Sequence, residues 1–73
     1  MNKNMMENIY RSAVTMLKNK STIIIVDRNG QENTYKRSDE NHFFNERLNK
    51  NIHISQMYLT YRSALVYNEV YAF

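Results

Sequence analysis

The only glycine of the chain, Gly30, follows Asn29 shortly after a run of β-branched residues, and this arrangement constrains the fold more than any other feature. Asn-Gly is the pair that best suits the tight turn of a β-hairpin, because both residues tolerate positive φ. We therefore predict a hairpin in which a strand over Thr22–Val26 turns through residues 27–30 and returns over Glu32–Arg37.

The two strands of this hairpin differ in composition. The first is apolar on both faces, which predicts a central strand with cover above and below it. The second alternates only weakly between apolar and polar residues and carries charged ones, which predicts an edge strand. A central strand needs a neighbour on its other side, and we expect the C-terminal third of the chain to supply it.

Helices are predicted on either side of the hairpin. Apolar residues recur on one face of Met5–Lys18 with helical spacing, so we predict a first helix there. After the hairpin, a serine followed by two acidic residues resembles a helix start. Phe44 and Leu48 lie one helical turn apart just beyond it, and we predict a second helix over Asp39–Asn49.

The last third of the chain is ambiguous. Asn51–Ile54 is predicted to be a short strand that could pair with the central one. Residues 55–73 contain no glycine, proline or turn cluster, which favours a helix, although their alternating apolar residues would also suit strands. The predicted fold is therefore a single α+β domain over residues 1–73, in the order α-β-β-α-β-α with a short three-stranded sheet, in which the C-terminal segment is helical or alternatively β.

Size and composition limit the function. A domain of 73 residues buries only about 60% of its unfolded surface, so its stability is marginal without further support. The chain has no cysteine, which leaves self-association or docking on a partner as the expected supplement. We see no secretory signal and no apolar run long enough to cross a bilayer, so we expect a cytoplasmic protein with no membrane association.

No arrangement of side chains indicates catalysis. Thiols are absent, no serine lies in a nucleophile elbow, and one glycine cannot form a phosphate-cradling loop. His42 and Glu46 have the spacing of two metal ligands on a helix, but a real site needs three or four, and we interpret both as surface residues. We expect no enzyme activity, no cofactor and no metal.

Tyrosine is the one compositional excess that indicates a function. Four of the six tyrosines lie in the C-terminal segment, and tyrosine is enriched in protein interfaces. The alternative is that these rings form the core of a chain that has no tryptophan. The predicted partner-binding residues are Tyr58, Tyr61, Tyr67, Tyr71 and Phe73.

Three functions follow from these patterns. The first is a small non-catalytic binding protein that acts through a protein partner and could form a homodimer. Its high content of asparagine, lysine and isoleucine is typical of AT-rich genomes and suits a phage or mobile-element accessory protein that modulates or inhibits a host factor. The second is a dimeric DNA- or RNA-binding regulator, although a scattered net charge of +3 argues against it. The third is a structural or assembly subunit. The basic patch of the second hypothesis would consist of Lys18, Lys20, Arg28, Lys36 and Arg37.

Overall fold

The structure is a computed structural model that describes residues 3–73, in which two helices pack on a five-stranded antiparallel sheet. The strand order across the sheet is β4-β3-β2-β1-β5. The predicted α+β class is confirmed, with five strands in place of the predicted three. In chain order the elements are α1 (Lys3–Leu17), β1 (Thr22–Val26), β2 (Glu32–Asp39), β3 (His42–Asn45), β4 (Lys50–His53), α2 (Ile54–Tyr67) and β5 (Glu69–Ala72).

The first helix and the hairpin agree with the sequence. Helix α1 covers all but the last residue of the predicted segment, and β1 pairs with β2 in antiparallel register. Gly30 has a φ of 79°, which is the left-handed conformation expected of it at the turn. The Asp27 carboxylate accepts the backbone N–H groups of Asn29 and Gln31 at 2.9 Å each, which closes the turn.

Strand β1 is central as predicted, because it lies between β2 and β5. The prediction that it is covered on both faces is wrong. Ile23 and Ile25 are buried beneath the helices, whereas Ile24 and Val26 point to the opposite face and are only half-buried. The prediction of an edge position for β2 is also wrong, because β3 pairs with its outer side.

The predicted helix over residues 39–49 is wrong. This segment forms β3, a turn and the start of β4, and the burial of β3 alternates with the period of a strand. Phe43 and Asn45 are buried, whereas His42 and Phe44 point to the other face. Ser38 does not cap a helix but donates a hydrogen bond to the Asn51 side chain at 2.6 Å. Pairing with β2 therefore overrides a local pattern that favoured a helix.

The C-terminal third contains both of the structures that its sequence allowed. Helix α2 occupies residues 54–67, and a final strand, β5, follows it. The predicted strand over Asn51–Ile54 corresponds to β4, shifted by one residue, but it pairs with β3 and not with β1. The second neighbour of β1 is β5, so this neighbour does come from the C-terminal third.

Both helices lie on the same face of the sheet, and the core lies between them and it. Helix α2 packs against β3, β4 and β5, and α1 packs mainly against α2. Neither helix is long and apolar enough to cross a membrane, as judged over residues 3–73. The buried apolar residues are Ala13, Leu17, Ile23, Ile25, Phe43, Ile54, Met57, Tyr58 and Ala64.

Candidate protein-interaction surface

The face of the sheet opposite the helices, called the open face here, carries apolar and aromatic side chains in adjacent rows. Ile24 of β1 pairs with Tyr71 of β5, so both side chains lie on this face. Phe44 lies on the same face of β3, opposite Lys36 of β2. Phe73 continues β5 beside Thr22 and is 65% exposed. The open face therefore presents three aromatic rings to solvent around a β-branched centre.

Charges on the open face are mixed and largely paired. The Lys36 ammonium lies 2.9 Å from the Glu46 carboxylate, and both side chains are more than half exposed. The Tyr71 hydroxyl donates to the Glu69 carboxylate at 2.7 Å. This hydrogen bond and the negative charge of Glu69 raise the pKa of Tyr71 above its usual value. A face with this balance of charge does not select for a strongly anionic ligand.

Strand β5 forms one edge of the sheet, and its outer backbone groups are unpaired by strands in the described chain. Phe73 exchanges backbone hydrogen bonds with β1, because its N–H donates to the Thr22 carbonyl at 2.9 Å. In an antiparallel ladder the backbone groups of successive residues point alternately toward the paired strand and away from it. The N–H and C=O groups of Tyr71 therefore also point to β1, whereas those of Val70 and Ala72 point away from the sheet. We call these outward groups the β5 edge.

The β5 edge lacks the features that usually block strand pairing. Edge strands of monomers commonly carry lysine, proline or a bulge. The opposite edge strand, β4, carries Lys50 and His53, and both are exposed. Strand β5 has only one charged residue, Glu69, which is engaged by the Tyr71 hydroxyl. The β5 edge is therefore the less protected of the two.

The last turn of α2 adds apolar surface beside the β5 edge. This turn leads directly into β5 through Asn68, and α2 packs against that strand. Leu65, Val66 and Tyr67 are 53%, 73% and 72% exposed. A patch of this kind, with aromatic rings on one side of a strand and apolar helix residues on the other, is typical of a surface that a partner covers.

The five predicted partner-binding residues do not form one set. Tyr58 is buried in the core, and Tyr61 is half-buried and packs against it, so neither offers much surface. Tyr67, Tyr71 and Phe73 are exposed around β5. Tyr67 ends α2 and Tyr71 lies in β5, so they belong to two different elements.

Arg37 is the member of the predicted basic patch that has a clear structural role. Its guanidinium donates to the backbone carbonyls of Lys20 at 2.8 Å and Glu40 at 2.9 Å, and also to that of Leu17. The same group lies 4.7 Å from the centroid of the Phe43 ring. These contacts hold the end of α1 against the sheet and leave Arg37 little freedom to bind a phosphate.

The other basic residues are divided between distant parts of the surface. Arg28 lies in the turn that joins β1 and β2, whereas Lys36 pairs with Thr22 at the opposite end of β1. Lys18 and Lys20 follow α1 at that same end. Lys36 points to the open face, while Arg37, the next residue, points to the helix side. Arg28 therefore lies apart from the other four residues, which lie near the same end of β1. Because Lys36 points to the other face of the sheet and is paired with Glu46, the five residues do not form one continuous patch.

The histidines form a small cluster where β2, β3, β4 and α2 meet. The Nδ1 atom of His42 lies 2.9 Å from the Asp39 carboxylate, and its ring makes an edge contact with that of His53 at 5.3 Å. The Nδ1 atom of His53 accepts the Ser55 N–H and caps α2. Within residues 3–73 no three potential ligands are grouped to hold a metal ion. His42 and Glu46 lie on a strand and a turn, so they do not share a helix face.

A groove runs between α2 and the β2–β4 corner of the sheet. Its larger part has a volume of about 470 Å³ and is lined by Tyr35, Asn45, Leu48 and Thr60 among others. Asn45 is only 1% exposed. Its Oδ1 accepts the Leu48 N–H at 3.0 Å, while its Nδ2 has no acceptor among the described residues. No sequence pattern indicated this groove, because the segment that forms one of its walls was predicted to be a helix.

No family model, curated protein or solved structure matches the chain. Sequence reasoning found Tyr67, Tyr71 and Phe73 but missed Ile24 and Phe44, which lie on the open face. Phe44 follows the buried Phe43, and this adjacency assigns the two rings to opposite faces only once the segment is known to be a strand.

Proposed function

We propose that this protein is a non-catalytic binding protein that acts through a protein partner, which docks along β5. The observation that carries the proposal is an unprotected edge strand with exposed apolar side chains on both of its sides. A partner strand added to β5 would satisfy the outward backbone groups of Val70 and Ala72. The same partner would cover Tyr71 and Phe73 on the open face and Val66 beside the edge.

Side-chain chemistry supports binding over catalysis. The charged groups near β5 are Glu69, which is engaged by Tyr71, and the Lys36–Glu46 pair on the open face. None of these is buried, and catalytic groups commonly depend on burial for their altered reactivity. A role in modulating a larger factor, as expected of a phage or mobile-element accessory protein, belongs to the same proposal.

Nucleic acid is the weaker partner on electrostatic grounds. The aromatic rings of the open face could stack on bases, since base stacking on aromatic rings is a common mode of single-strand binding. A phosphate backbone passing along this face would, however, meet the carboxylates of Glu32, Glu46 and Glu69. Lys36 is the one basic residue placed among them, and it is paired with Glu46.

The proposal is tested by comparing what matched variants bind. The wild-type chain and a Tyr71→Ser, Phe73→Ser double variant are immobilised and exposed to lysate, and bound proteins are identified by mass spectrometry. We expect a protein retained by the wild type to be lost from the double variant, because aromatic anchors dominate interface energies. An Arg28→Ala, Lys36→Ala variant is the control and should retain it. Loss of binding in the control and not in the aromatic variant would contradict the proposal and favour nucleic acid.

A further inference from the structure

We infer that the β5 edge pairs with the β5 edge of a second copy of this chain, in antiparallel register centred on Tyr71. This inference rests on the proposed function, because it names the partner that occupies the same surface. It follows from the direction of the backbone groups, the faces of the sheet that the pairing joins and the exposed side chains on each side of the strand.

Backbone geometry favours one short antiparallel register, the one that pairs both outward residues of each copy with those of the other. The outward groups belong to Val70 and Ala72, which flank Tyr71 symmetrically. About a two-fold axis at Tyr71, Val70 of one copy lies opposite Ala72 of the other. Such a pair exchanges two N–H···O bonds, so every outward group of both residues is satisfied. The two Tyr71 residues then form the central, non-hydrogen-bonded pair.

The faces that are joined favour an antiparallel register over a parallel one. Glu69 is the one charged residue of β5. In the antiparallel register Glu69 lies opposite Phe73 of the second copy, and its carboxylate stays near the Tyr71 hydroxyl that donates to it. In a parallel pairing of the same two edges one copy would be turned over relative to the other, so the Tyr71 rings would lie on opposite faces of the joined sheet and would not contact each other.

Side chains on both sides of the edge are suited to a symmetric contact. A two-fold axis at Tyr71 brings the Tyr71 rings together on the open face, where each is 45% exposed as a monomer. On the helix side it brings the α2 helices of the two copies toward each other, each with Leu65 and Val66 exposed. A chain of 73 residues without disulfides gains the apolar burial that a domain of this size lacks.

The absence of cysteine makes the register directly testable by cross-linking. In a non-hydrogen-bonded antiparallel pair the Cα atoms lie about 4.5 Å apart, within the range of about 4.4–6.8 Å that a disulfide spans. A Tyr71→Cys variant should therefore form a disulfide-linked dimer under mild oxidation. Glu69→Cys and Phe73→Cys should each form no disulfide-linked dimer alone, whereas an equal mixture of the two should cross-link.

Sedimentation of the wild-type chain tests whether the pairing occurs without a cross-link. We expect a reversible monomer–dimer equilibrium that Ala72→Pro weakens by about tenfold or more, because proline removes an outward N–H donor without removing one bonded to β1. Ala72→Ser keeps the N–H group and should dimerise as the wild type does. The cross-linking result does not depend on the folding of the proline variant.

Two results would overturn the inference. One is a wild-type chain that stays monomeric at all concentrations while Tyr71→Cys fails to cross-link. The other is cross-linking of Glu69→Cys alone as efficiently as Tyr71→Cys, which indicates a different register or random collision. If the chain is monomeric yet still captures a protein through Tyr71 and Phe73, the inference fails and the proposed function stands. If the chain neither dimerises nor captures a protein, both fail.

Discussion

The guanidinium of Arg37 lies over the ring of Phe43, with 4.7 Å between the guanidinium carbon and the ring centroid. The two residues are cross-strand neighbours in β2 and β3, so the contact is built into the sheet register. Phe43 is fully buried, and Arg37 also donates to carbonyls at the end of α1. This pair therefore joins the sheet, the core and the first helix at one corner of the fold.

Arg37→Ala is expected to destabilise the protein by about 2–3 kcal/mol, because it removes several charge-assisted hydrogen bonds to backbone carbonyls. Arg37→Lys should not restore the loss, since an ammonium cannot reproduce the planar fork of the guanidinium. Urea unfolding measures the free energy. The matched control is Lys36→Ala, whose exposed ion pair with Glu46 should contribute less than about 1 kcal/mol. Equal costs for the two variants would contradict the structural role of Arg37.

Gly30→Val is expected to cost about 1–2 kcal/mol, because the turn holds this residue at a φ of 79°. A Cβ built at this position meets no atom within 4 Å, so the cost is conformational and not a steric clash. Gly30→Asn separates backbone conformation from steric clash as the cause. Asparagine tolerates the left-handed region, so this variant should lose less stability than Gly30→Val. Thermal unfolding of the three chains checks the order Gly, Asn, Val.

Tyr58→Ala and Tyr67→Ala are expected to differ widely, although the sequence grouped the two residues in one site. Tyr58 is in the core, and truncating a buried aromatic ring costs about 3–5 kcal/mol. Tyr67 is 72% exposed, so its loss should change the free energy of unfolding by less than about 0.5 kcal/mol. Denaturant unfolding of both variants provides the measurement. A loss of stability in Tyr67→Ala as large as that in Tyr58→Ala would mean that the Tyr67 ring is packed in the core, against the structure.

The sequence predicted those elements whose local pattern and tertiary environment agree. Helix α1 and the β1–β2 hairpin have strong local signals, and the tertiary fold uses both of them. Residues 39–49 were misjudged because an acidic start and an i, i+4 pair are local features, whereas β3 is held by its register with β2. Strand β5 was missed as a separate element because no glycine or proline marks the boundary after α2. At that boundary Asn68 adopts an extended conformation and still donates its N–H to Ala64.

The candidate surface was predictable only in part, for a related reason. Tyrosine enrichment identified the exposed rings around β5, but composition alone does not separate a core ring from a surface ring. Tyr58 and Tyr61 lie on the buried side of α2, and only the packing of α1 against α2 reveals this. The β5 edge itself is a backbone feature that depends on strand order, which sequence patterns do not specify.

Tyr71 is expected to ionise at a higher pH than ordinary tyrosines, because its hydroxyl donates to Glu69 and the carboxylate disfavours a second negative charge. A raised folded-state pKa means that this interaction is fully present below the unfolded pKa of 10.0 and is lost as pH rises through the folded value. Tyrosinate absorbance during alkaline titration measures the ionisation. Glu69→Gln should lower the pKa of Tyr71 toward its ordinary value. An unchanged titration in this variant would show that Glu69 is not the cause.

Asp39 is expected to contribute stability that acid removes. The Asp39 carboxylate forms hydrogen bonds with the His42 side chain and with the Asn41 N–H. These bonds lower the pKa of Asp39 from its usual 3.8. A depressed folded-state pKa gives stability that is present above the unfolded pKa and lost as pH falls from 3.8 through the folded value. Unfolding free energies of the wild type and Asp39→Asn should therefore differ most near neutral pH and converge in acid. His42→Ala should reduce that pH dependence, because it removes the side-chain hydrogen bond that contributes most to lowering the pKa of Asp39. If the wild type and Asp39→Asn differed by the same free energy of unfolding at neutral and at acid pH, the lost interaction would not depend on the charge of Asp39. That outcome would contradict the assigned partner.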